Sequence, residues 1–168
     1  EPTISFHVDA VQAIGKVPVS SYLTDRVDFA TFSGHKFHAV RGVGFVYKKA
    51  GKKITPLLSG GGQEKDLRST TENVAGIASM AKALRLVTDK EEFSLPKIAK
   101  MKKIILDELA KHEDITIFSG EGEDFAPNIL TFGIKGVRGE VVVHAFEEHQ
   151  IYISTTSACS SKAGKPAG

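Results

Sequence analysis

Ser33-Gly34-His35-Lys36 follows a mostly apolar run, Val27 to Phe32, and puts a lysine at the glycine-relaxed exit of an expected strand. A lysine amine in that position can condense with an aldehyde, and an aldehyde cofactor such as pyridoxal phosphate needs further groups around it. A carboxylate must face its ring nitrogen, and short hydroxyl and imidazole donors must face its phosphate. Asp9 upstream supplies the first, and Ser33 and His35 supply the second. Taken alone, Ser-x-His-Lys also describes a solvated turn lysine between two strands, so the surrounding chain has to decide between the two.

Those surroundings are His7-Val8-Asp9-Ala10-Val11-Gln12, Gly42-Val43-Gly44-Phe45, Gly60-Gly61-Gly62-Gln63, Arg68-Ser69-Thr70-Thr71-Glu72-Asn73 and Ser157-Ala158-Cys159-Ser160-Ser161. In this order and spacing the sequence resembles a cysteine desulfurase, of the class V aminotransferase-like branch of fold type I pyridoxal phosphate enzymes. The resemblance implies an α/β fold: the C-terminal part of such a transferase, with a remnant of the large-domain sheet in residues 1–90 and a small, incomplete α+β domain in residues 91–168. It also implies that the chain is a piece, lacking the N-terminal half of the sheet and the distal C-terminal region, and inactive by itself.

The resemblance assigns roles residue by residue. Lys36 is the cofactor-bearing lysine, and its amine, once freed by substrate, moves the substrate's α-proton. Asp9 keeps the ring nitrogen protonated, and Gln12 hydrogen-bonds the ring's phenolic oxygen; without Lys36 these two read as a helix N-cap and a surface amide. Ser33 and His35 are phosphate ligands. Thr71 reaches the phosphate of a neighbouring subunit, its plainer role being a helix cap. Cys159 is the nucleophile that takes sulfur from L-cysteine, leaving L-alanine and a persulfide for a sulfur-acceptor protein in iron-sulfur cluster assembly or tRNA thiolation. Two departures from the family pattern are Thr70, where glycine is common, and Ala39-Val40-Arg41, where glycine-proline-lysine is common. A selenocysteine lyase, another class V enzyme and a non-catalytic interaction module are the alternative readings.

Bulk properties are consistent with these roles. The 168 residues carry a formal charge of only +2, with dispersed lysines that no stacking aromatics interleave, so no nucleic-acid partner is expected. No apolar stretch nears the roughly 18 residues of a membrane span, and the N-terminus does not read as a signal peptide. A single cysteine excludes an internal disulfide and directs attention to thiol reactivity. A cytoplasmic homodimer is the expected setting. Residues 154–162 are almost wholly Ser, Thr and Ala, which predicts an exposed, mobile loop around Cys159. His35 and His38 have no cysteine or carboxylate at ligand spacing, so no metal is expected. The glycine run at 60–62 lacks the Lys-Ser/Thr ending of a nucleotide cradle.

These groups must be held by elements. Ile4 to Val8, Val27 to Phe32 and Gly42 to Tyr47 read as three strands around the cofactor, with Asp9 emerging at a strand end. Ser69-Thr70-Thr71-Glu72 has capping-box spacing, and Val74, Ile77, Ala78, Ala81 and Leu84 recur at helical period, which predicts a helix starting close to Thr71. Polar residues 88–94 read as the domain boundary, near Lys90, before a second helix with Ile98, Met101, Ile105 and Leu109 on one face. Strands are expected at Ile115–Phe118, Ile129–Ile134 and Ile151–Ser154, and a helix at Glu140–His149.

Overall fold

The computed structural model describes residues 4–122 and 124–155, the side chains of 91–94 excepted. The chain divides into two compact units, Glu1–Ile98 and Ala99–Gly168.

In the first unit, β1 (His7–Asp9), β2 (Phe29–Ser33) and β3 (Gly44–Lys48) form a sheet in the order β1-β2-β3. β1 runs parallel to β2, with Asp9 opposite Thr31, and β3 returns antiparallel, with Gly44 opposite Ser33. Along β2 the period-two alternation buries Ala30 and Phe32 and leaves Phe29, Thr31 and Ser33 half-buried. Ala30 and Phe32 join Ala10, Ile14, Val27, Phe37 and Ala83 in one core, flanked by Met80, Leu84 and Val87. The Phe32 and Phe45 rings stack with centroids 4.4 Å apart, an offset-type contact that ties β2 to β3 on this face.

β2 starts two residues later than the apolar run suggests, because Asp28 is diverted to electrostatic work. Only 3 % exposed, Asp28 accepts the Phe6 N–H at 2.9 Å and pairs with Arg26 at 3.2 Å and Lys52 at 3.1 Å. These partners hold its carboxyl below its ordinary value, the Phe6 N–H first and Lys52 next.

The helices differ from expectation in two ways. Instead of two helices parted by a linker, a single α1 spans Val74–Leu109, with Pro96 inside it. The residues read as a linker, Asp89-Lys90-Glu91-Glu92 among them, are polar yet mostly tolerate helix well, so polarity alone did not break it. Nor is the capping box used. The Asn73 side chain accepts the Gly76 N–H at 3.0 Å, and the Asn73 carbonyl accepts the Ile77 N–H at 2.9 Å, so α1 is capped by Asn73 rather than near Thr71.

The second unit pairs β4 (Ile115–Ile117) antiparallel with β5 (Phe132–Ile134), and α2 (Gly139–Glu147) follows. Leu106 is its buried apolar residue, and Lys102, also buried, directs its ammonium to the Ala126 carbonyl at 3.1 Å. Residues 151–154 do not form the expected strand. Gln150 adopts φ 60°, and the Ile151 N–H turns back to the Phe146 carbonyl at 3.0 Å, so these residues close α2 and find no strand partner among the described residues.

Candidate active site

Parallel pairing of β1 and β2 brings their C-terminal ends to the same edge of the sheet, which is where open α/β sheets present ligand groups. Asp9 ends β1, and Ser33 ends β2. Past Ser33 the chain enters a single 3-10 turn, Gly34–Phe37, that carries His35 and Lys36. The turn is fixed at both ends. Gly34 donates its N–H to the Val43 carbonyl at 2.9 Å, and Phe37 is 1 % exposed, a side chain whose burial is worth roughly 1.5–3 kcal/mol. His38 then takes a left-handed conformation, φ 73°, as its N–H returns to the Gly34 carbonyl. Lys36, beside the Phe37 anchor, is half-buried, whereas His35 is exposed.

Glycine is needed at position 34 for space. A Cβ there would stand 3.1 Å from Ala39 Cβ, Val43 Cγ2 and the Val43 carbonyl oxygen, and that oxygen is already held by the Gly34 N–H. The sequence suggested conformational latitude; the structure shows crowding.

Asp9 uses one carboxylate oxygen, Oδ1, to accept the Val11 N–H at 3.1 Å, so the plain capping role is present. Oδ2 has no protein partner among the described residues. Gln12 lies in the turn that follows, exposed, with its Oε1 accepting from Lys16 Nζ at 2.7 Å. Lys16 was not anticipated from the sequence; the signal available was its position four residues beyond Gln12, a helical-turn spacing. Burial first, and the neighbouring Lys36 charge second, lower the Lys16 pKa from its ordinary value.

Asp9, Gln12, Ser33, His35 and Lys36 therefore share one edge of one unit. Thr71 is exposed in the segment leading into α1, its hydroxyl making no hydrogen bond within the described residues, while Thr70 next to it receives the Arg68 guanidinium at 2.5 Å. Cys159 lies outside the described residues. As a donor set, a lysine amine, a carboxylate with a spare oxygen, a hydroxyl and an imidazole on a rigid turn fit a phosphorylated aldehyde cofactor.

One edge of the sheet thus carries a lysine, a carboxylate, a hydroxyl and an imidazole within a single unit. The family model for aminotransferase class V matches residues 2–167, and the chain belongs to that family. A NifS/IcsS protein homolog of Lactobacillus delbrueckii subsp. bulgaricus is 53% identical over 161 residues, which cover 96% of this chain and 42% of the relative. The cysteine desulfurase IscS of Dictyoglomus turgidum is 36% identical over 168 residues, 99% of this chain and 42% of that protein. Among solved structures, a NifS-like protein from Rickettsia africae superposes with a TM-score of 0.78 at 33% identity, covering 97% of this chain and 45% of that one. The chain thus spans about two fifths of the length of these curated relatives, and the expected α/β fold of a transferase segment is the one observed.

Proposed function

We propose that this chain is the segment of a cysteine desulfurase that carries the cofactor lysine and the sulfur-accepting cysteine, acting on L-cysteine as part of a larger homodimeric protein that hands sulfur to an acceptor protein. The observation that carries this reading is the convergence of Asp9, Ser33, His35 and Lys36 on the C-terminal edge of β1 and β2. The sequence likeness to proteins named cysteine desulfurase supports the choice of substrate.

Bound pyridoxal phosphate would supply an electron sink for charge developing on the substrate's α-carbon. The chain's own residues do the rest. Asp9 Oδ2 holds the proton on the ring nitrogen, Ser33 and His35 hold the phosphate, and Gln12 donates to the ring oxygen. Lys36 would hold the cofactor through its amine and, when that amine is free, would take and return the substrate's α-proton. Thr71 contributes to the phosphate site of a neighbouring subunit. The Cys159 thiolate attacks the substrate sulfur; the substrate's Cβ–S bond breaks with its electron pair going to carbon, that carbon is protonated, and L-alanine leaves with one extra sulfur retained on Cys159.

Borohydride reduction of the full-length protein with pyridoxal phosphate, followed by peptide mass mapping, tests the assignment. A pyridoxyl label on Lys36, lost in Lys36→Ala together with alanine formation from L-cysteine, is the expected result. A label retained on another lysine in that variant overturns it.

A further inference from the structure

Lys16 holds the Gln12 amide through a 2.7 Å hydrogen bond, and this contact bears on the chemistry of the site. A glutamine amide presents an oxygen that only accepts and a nitrogen that only donates, and the two ends have nearly the same shape, so packing alone does not choose between them. A lysine ammonium has donors and no acceptor. It can face only the oxygen, which leaves Nε2 of Gln12 as the end free to meet a ligand. An anionic ring oxygen is an acceptor, so the nitrogen is the end such a ligand needs.

The surrounding chain fixes the backbone at Lys16. Ile14 is buried in the core, and Gly15 adopts φ +71° with its Cα so close to α1 that an added Cβ would lie 2.1 Å from Val87 Cγ1. The Lys16 N–H donates to the Ala13 carbonyl at 3.0 Å.

We infer that Lys16 is a positioning residue that locks the Gln12 amide with its nitrogen toward the cofactor's ring oxygen. The inference rests on the proposed function, since it takes Gln12 as the donor to that oxygen. A sequence reading had no reason to single out Lys16, because its role passes entirely through another side chain.

The test uses the full-length protein in five forms: wild type, Lys16→Met, Lys16→Arg, Gln12→Ala and the double variant Lys16→Met/Gln12→Ala. Far-UV circular dichroism first establishes folding. In cofactor-free protein, the Gln12 side-chain amide resonances should shift in Lys16→Met and stay near wild type in Lys16→Arg, which keeps a donor-only head group. With pyridoxal phosphate, Lys16→Met should weaken binding about threefold to tenfold, the size of one hydrogen bond, and move the visible absorbance band in the same direction as Gln12→Ala. In the double variant the loss should be no greater than in Gln12→Ala alone. Unmoved Gln12 resonances in Lys16→Met overturn the inference and leave the proposed function standing, as does an undiminished effect of Lys16→Met in the Gln12→Ala background. Failure of wild type to take up the cofactor overturns both. If Lys16→Met does not fold, Lys16→Leu, which likewise has no donor, replaces it, with the same expectations.

Discussion

At the scale of single residues, the proposed assignment separates groups that would hold the cofactor from groups that would move atoms, and the separation makes different variants fail differently. Asp9 is split between two jobs, Oδ1 on the Val11 N–H and Oδ2 toward solvent. Asp9→Asn preserves the first, because an amide oxygen still accepts that N–H, but loses the charge that keeps a ring nitrogen protonated. Cofactor should still bind, while alanine formation slows about ten- to hundredfold, as expected from losing a charged hydrogen bond of roughly 1.5–3 kcal/mol. Single-turnover kinetics beside a binding titration would check this, and unchanged turnover would remove Asp9 from the site. Cys159→Ser should do the reverse of a binding variant: full cofactor uptake, no sulfur gained by the protein on exposure to L-cysteine. Intact-mass measurement reads the added sulfur directly, and wild-type rates of sulfide and alanine release in the serine variant would sink the sulfur-transfer mechanism while sparing Lys36. The positions of Asp9 and Ser33 at strand ends, with Lys36 in the turn just beyond, were legible because each follows a short apolar run. Lys16 was not, since its four-residue spacing from Gln12 is a signal too common among surface lysines to single it out.

At the scale of elements, Asn73 shows what periodicity can and cannot reveal. Asn73→Ala removes the acceptor for the Gly76 N–H, which should cost about 1 kcal/mol of stability in a chemical denaturation experiment. Ser69→Ala, by contrast, should cost nothing attributable to a helix cap; an equal loss at Ser69 would restore the capping box. The spacing of Val74, Ile77 and Leu84 made the helix itself readable, but four capping candidates, Ser69, Thr70, Thr71 and Asn73, precede it, and only the observed bonds choose Asn73. The break between two helices expected at 88–94 is absent for a related reason. Asp, Lys and Glu suit a solvated linker and an exposed helix face alike, and composition does not distinguish them. Ile151–Ser154 failed differently: an apolar, β-branched stretch becomes a strand only with an edge to join, and the chain is instead committed to closing α2 through the Ile151 to Phe146 bond.

At the scale of the whole molecule, Asp28 links acidity to the integrity of the first unit. Because its folded pKa is depressed, its contribution is fully present above its ordinary value of 3.8 and is lost as pH falls through the folded value. Asp28→Asn should therefore melt at a lower temperature than wild type near neutral pH, and the gap between the two should close in acid below that ordinary value. Thermal melts of both proteins at stepped pH measure the gap directly, and a gap that persists unchanged into strong acid would show that the ion cluster is not its source. The sequence hid this cluster inside a run read as apolar, since a buried carboxylate becomes intelligible only when Arg26, Lys52 and the Phe6 N–H are seen to converge on it.

The mixed direction of the three strands has a kinetic side as well. β2 and β3 are joined by the short connection 34–43, whereas β1 reaches β2 only through the longer excursion 10–28. Chain-closure entropy rises with the length of the connection, and nearby pairings form before distant ones. The antiparallel hairpin, with the lysine turn at its bend, should then assemble ahead of the parallel pairing. During folding, Ser33, His35 and Lys36 should come into register first, and Asp9 should arrive last.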